Sequence, residues 1–97
     1  MTLKANMRGY GPRKVLFLHG WLSDHQVFDT VPLWFSQSEF TFAQMDFRGY
    51  GLNRAVAGNY SADEIAKDAL ELCDQLEWQN FHVVGHSMGG MVTQKMA

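Results

Sequence analysis

Cysteine is almost missing from this chain: Cys73 stands alone among 97 residues. One thiol cannot close an internal disulfide, so the stapled scaffold of a small secreted domain is excluded. A basic surplus is missing too. Eight Lys and Arg against ten Asp and Glu give a formal charge of −2, with the cations scattered, so no patch exists to track nucleic-acid phosphates. No apolar run approaches the ~20 residues of a membrane span, and Met1 to Asn6 lacks the apolar core of a signal peptide. Repeats, low-complexity tracts and linkers are likewise absent. These absences set the expectation of a cytoplasmic chain with neither nucleic-acid nor membrane partner, while the oligomeric state stays open. What is present is a globular composition, 46% hydrophobic, in a length that fits at most one small domain.

Apolar runs alternate with helical periodicity along the chain. Met1 to Lys14 is short and polar, with a turn signal at Gly9-Tyr10-Gly11-Pro12. Val15 to Leu18 reads as a strand buried on both faces of a parallel sheet. After a loop from Trp21 to Thr30, Pro32 suits the first position of a short helix carrying Leu33, Trp34 and Phe35. Phe40 to Phe47 is a second strand, closed by Arg48-Gly49-Tyr50-Gly51, and Val56 to Tyr60 is loop. The clearest helix starts at Ser61, where Ser61 and Glu64 form an S-x-x-E capping box. Ile65, Ala69, Leu72, Cys73 and Leu76 fall on one face of it; Lys67, Asp68, Glu71, Asp74 and Gln75 fall on the other, expected to be solvated. Cys73 is therefore expected to be a buried, inert thiol. Phe81 to Val84 is a third strand and Met88 to Ala97 a third helix. Such alternation predicts an α/β fold, a three-layer sandwich around a parallel sheet.

The chemistry concentrates in Gly85-His86-Ser87-Met88-Gly89-Gly90-Met91. Strand, sharp turn and helix start around G-x-S-x-G describe a nucleophile elbow with Ser87 at its apex. A serine pushed out of such a turn occupies a sparsely populated backbone region and crowds its neighbours, so the residues two before and two after must be very small. Gly85 and Gly89 meet that demand. The turn lifts the hydroxyl above the sheet and aims the first N–H groups of the next helix at a developing oxyanion. Neither G-x-G-x-x-G nor G-x-x-x-x-G-K-[ST] fits these glycines, which argues against a dinucleotide or nucleotide loop.

With these elements in place the chain resembles an α/β-hydrolase of the serine-hydrolase kind. Val15-Leu16-Phe17-Leu18-His19-Gly20-Trp21 resembles the strand and H-G-x loop that supply one oxyanion-hole donor. Asp46-Phe47-Arg48-Gly49-Tyr50-Gly51 resembles the D-x-R-G-x-G turn, and Gly85 to Gly90 the elbow itself. The resemblance implies Ser87 as catalytic nucleophile and the backbone N–H groups of Trp21 and Met88 as the oxyanion hole. It implies a small-molecule acyl substrate, no cofactor and no metal. It also implies that the first strand is central, flanked by the Asp46 and Ser87 strands.

Family order places the acid and the histidine of the triad after the serine. Residues 1–97 therefore read as the N-terminal part of a single α/β-hydrolase domain, up to the elbow, of a chain of roughly 250 residues. The first two family strands are expected to be shortened or absent, and the Phe81–Val84 strand to leave an open edge. None of the four histidines is placed as the base. The resemblance implies that His19 shapes its loop; His86 adjoins the elbow, and His82 lies roughly 16 Å away at about 3.3 Å per residue. His25 lies on a loop that nothing in the sequence orients. Asp46 and Arg48 are expected to hold the glycine turn. Three readings remain open: ester or related acyl hydrolysis through an acyl-enzyme, C–C hydrolysis or cofactor-free perhydrolysis on the same scaffold, and a non-catalytic fragment or ligand-binding module.

Overall fold

Arg13–Leu18, the apolar run ahead of His19, forms the central strand β2 in the structure, a computed structural model that describes residues 3–97. Phe40–Met45 (β3) and His82–Gly85 (β4) lie on either side of it, both parallel. The central place of β2 and the parallel core are as the sequence implies.

A fourth, short strand lies in the N-terminal segment, where the early strands were expected to be shortened or absent. Ala5–Gly9 (β1) pairs antiparallel with β3, giving the order β1-β3-β2-β4. The chain leaves it for β2 through the glycine turn. Gly9 takes φ 78°, and an added Cβ there would run into the Phe40 carbonyl. Hydrogen bonds from Tyr10 to Gln37 (2.9 Å) and Arg13 to Glu39 (3.0 Å) then carry the chain across the start of β3. The sheet is thus mixed, mostly parallel.

Residues alternate between the two sheet faces, as strand geometry demands. Leu16, Leu18, Ala43 and Met45 join Phe47, Ile65, Ala69, Leu72 and Val92 in the larger core. Helices Ala62–Gln75 (α1) and Met88–Met96 (α2) cover that face. Val15, Phe17 and Phe42 pack on the opposite face with Phe28. Short 3-10 turns accompany them at His25–Phe28 and Pro32–Trp34. The helix expected from Pro32 is therefore a single tight turn, with Pro32 buried and Leu33, Trp34 and Phe35 exposed.

Helix α1 begins where the sequence places it. The Ser61 hydroxyl accepts from the Glu64 N–H at 3.1 Å, but the Glu64 carboxylate turns to the N–H groups of Tyr60 (3.0 Å) and Asn59 (3.4 Å), not to Ser61. One residue assigned to its solvated face is buried: Asp68, 3% exposed. Arg48 accounts for it, with Nε and Nη2 donating to the two carboxylate oxygens at 2.8 and 2.7 Å. A buried carboxylate needs such pairing, and the fork of the guanidinium meets it. Cys73 is buried as expected, and burial pushes its thiol up to about 11. Among the described residues β4 is an edge of the sheet, with Val84 43% exposed. No helix of the described residues is long and apolar enough to cross a membrane.

Candidate active site

At the carboxyl ends of the parallel strands three turns meet. The first leaves β4 at Gly85 and enters α2 at Met88, with Ser87 between them at φ 57° and ψ −114°. That conformation is strained for a residue with a Cβ, and its persistence requires over-determined surroundings. The glycines provide them. A Cβ on Gly85 would strike the Gly89 carbonyl and the Thr93 hydroxyl, and a Cβ on Gly89 would strike the Leu18 carbonyl. The start of α2 is thereby pressed onto the end of β2. A serine at a helix N-terminus commonly caps it. Ser87 makes no such bond. It is also exposed, so its hydroxyl faces the open end of the sheet uncommitted.

The second turn carries Gly20 and Trp21. It approaches the first so closely that a Cβ on Gly20 would lie 3.2 Å from His86 Nδ1 and 3.3 Å from Ser87 Cβ. Among the described residues, neither the Trp21 N–H nor the Met88 N–H has an acceptor. Trp21 and Met88 share the wall of one open cavity of about 370 Å³ with Leu22, Tyr50, Arg54 and Tyr60. The three residues singled out from the sequence thus come together at one end of the sheet.

The histidines divide. His19 is fully buried, its Nδ1 2.9 Å from the Gly20 carbonyl and its Nε2 accepting from the Phe47 N–H at 3.1 Å. That pairing fits the neutral ring protonated on Nδ1. Burial lowers its pKa from the ordinary value, against the opposing pull of the Gly20 carbonyl and Asp46. His19 therefore ties the Gly20 turn to the end of β3, the loop-shaping part expected of it. His82 sits exposed at the start of β4, at the opposite end of the sheet from Ser87. Among the described residues no hydrogen bond links Ser87 to any histidine.

His25 corrects the sequence reading, which found nothing to orient it. The buried Asp46 carboxylate accepts from its backbone N–H at 2.6 Å and faces its Nδ1 at 2.7 Å. Asp46 also accepts from the Leu52 N–H at 2.8 Å, so it holds the glycine turn as expected and clamps the third turn to the loop after Trp21. Asp24, His25 and Asp46 bring ligand-type atoms within 4.8 Å of one another. Their hydrogen bonds account for the cluster, Asp24 Oδ1 accepting from the Gln26 N–H at 2.8 Å. No motif announced this link, because 21 residues separate His25 from Asp46. Leu22, Arg54 and Tyr60 were missed for the same reason: each is brought to the cavity by tertiary structure.

Residues 14–97 match the family described as alpha/beta hydrolase fold. The chain is similar to a serine hydrolase-like protein of Danio rerio, 37% identical over 96 residues, which cover 91% of this chain and 29% of that protein. It is also similar to a fluoroacetate dehalogenase of Burkholderia sp, 35% identical over 103 residues, covering 100% of this chain and 33% of the other. Among solved structures, the esterase EaEST from Exiguobacterium antarcticum matches with a TM-score of 0.86 at 29% identity, over 95% of this chain and 34% of that one. The chain spans about a third of the length of the relatives it matches.

Proposed function

The chain belongs to the α/β-hydrolase-fold family, and on that premise we propose that it carries the nucleophile and oxyanion hole of a serine hydrolase acting on ester or related acyl substrates. The observation that carries this reading is Ser87: positive φ between two obligatory glycines, exposed, with no cap bond. Its hydroxyl attacks the substrate carbonyl, and its proton passes to a general base supplied outside residues 1–97. The Trp21 and Met88 N–H groups, which have no acceptor among the described residues, receive the tetrahedral oxyanion. Collapse expels the alcohol, which takes the proton back from the base, and leaves an acyl group on Ser87. Water, deprotonated by the same base, then attacks the acyl carbon and releases the acid.

The similarity to a dehalogenase does not redirect this chemistry. Displacing halide from carbon with a serine oxygen would leave an ether, which water does not cleave. An acyl ester on the same oxygen is hydrolysed readily, so serine suits acyl transfer. On this proposal residues 1–97 are the front part of one hydrolase domain, in keeping with the share of its relatives that the chain covers.

The test is covalent labelling. A fluorophosphonate is expected to modify the full-length protein stoichiometrically, at Ser87. Modification at any other residue, with Ser87 untouched, would overturn the assignment.

A further inference from the structure

The cavity beside the Ser87 turn is walled mainly by apolar and aromatic groups, among them Trp21, Leu22, Tyr50, Tyr60 and Met88. Among the described residues the cation in its lining is Arg54. Elsewhere in the chain, arginines near carboxylates are paired: Arg8 with Asp29 at 3.4 Å and Arg48 with Asp68 at 2.7 Å. Arg54 is not. Among the described residues no carboxylate pairs with it, and the bond it makes is from its backbone N–H to the Gly51 carbonyl at 3.2 Å. A tight turn over Gly51–Asn53 fixes its backbone, and among the described residues no hydrogen bond engages the guanidinium.

A second, independent feature marks the same cavity. Among the described residues, four other than glycine adopt positive φ: Leu22, Tyr60, Glu77 and Ser87. Two of them, Leu22 (φ 56°) and Tyr60 (φ 58°), line this cavity, and Ser87 adjoins it. Strain of this kind persists where the surroundings enforce it, and it gathers at ligand clamps and active sites. Tyr60 shows the enforcement. Its N–H donates to Glu64 at 3.0 Å, and its ring lies over Gly49, where an added Cβ would come within 2.7 Å of it.

We propose that Arg54 is a specificity-determining residue that receives a carboxylate of the substrate, so that the preferred substrates are anionic esters such as half-esters of dicarboxylic acids. As a statement about a substrate it rests on the reading of Ser87 as nucleophile. A guanidinium is weakly hydrated and planar, and it binds carboxylate through two parallel N–H bonds. The aromatic walls take the hydrocarbon between that carboxylate and the reacting carbonyl, while Trp21 and Met88 place the same cavity beside the oxyanion donors.

The experiment uses the full-length protein with Ser87→Ala, which binds esters without turning them over. Calorimetry compares monobenzyl glutarate with benzyl pentanoate, whose methyl group replaces the carboxylate. The half-ester is expected to bind at least 10-fold more tightly. Arg54→Gln in the same background is expected to weaken the half-ester by at least 10-fold and change the neutral ester by less than 3-fold. Equal affinity for the two esters, or an equal loss of both with Arg54→Gln, would overturn the proposal. Melting curves of the two variants should coincide, since Arg54 is exposed. Failure of the hydrolase reading looks different: the protein with Ser87 intact would neither label nor turn over ester, whatever the binding result.

Discussion

Ser87→Ala in the full-length protein is expected to lower ester turnover by roughly 10⁴- to 10⁶-fold. The size of the loss follows from what the hydroxyl does. Without it no acyl-enzyme forms, and the remaining rate is that of water attacking a carbonyl polarised by the Trp21 and Met88 N–H groups. Those groups are backbone atoms and survive the substitution. Alanine also has a Cβ, so the strained φ of 57° is not relieved. The Ser87 side chain caps nothing, so the helix loses no hydrogen bond and the melting temperature should move little. The measurement is kcat/KM on a short p-nitrophenyl ester beside a thermal melt. Loss of activity with an unchanged melt is the predicted pair of results.

Gly89→Val is expected to destabilise the fold by about 3 kcal/mol or more, near the top of what single substitutions do. The reason is backbone against backbone. The new Cβ would overlap the carbonyl oxygen of Leu18 and lie 2.7 Å from that of His19, and neither can rotate away. Relief requires α2 to lift from the end of β2, which would also displace Ser87. Gly90→Ala is the contrasting control. A Cβ there meets only the Gly85 carbonyl, at 3.8 Å, which is ordinary contact. Alanine favours helix over glycine, so that variant should gain about 0.5–1 kcal/mol. Denaturant midpoints of the two variants measure both effects.

Gly85 and Gly89 show why the turn was legible in the sequence. A strained serine needs small neighbours at fixed offsets, and that requirement is local. The same holds for the buried run of β2 and for Ser61 ahead of α1, where burial on both faces and an orphan helix N–H each leave a short-range signature. Strand β1 left only a faint one. Ala5-Asn6-Met7-Arg8-Gly9 alternates apolar and polar residues, but the run is short and free of β-branched and aromatic side chains, and its partner lies more than 30 residues away. Asp68 sits at a polar position of its helix yet is buried, because Arg48 reaches across from the end of β3. Arg54, Leu22 and Tyr60 carry no motif at all. Their meeting at one cavity is a property of three turns packed together at the strand ends, which no spacing along the chain encodes.

The central claim is that Ser87 is acylated during turnover. Mass spectrometry of the full-length protein, acid-quenched while hydrolysing p-nitrophenyl acetate, measures it most directly. An acetyl group is expected on the peptide containing Ser87, and none on the same peptide of Ser87→Ala. An acetyl group on His25 or another side chain, with Ser87 unmodified while turnover proceeds, would contradict it.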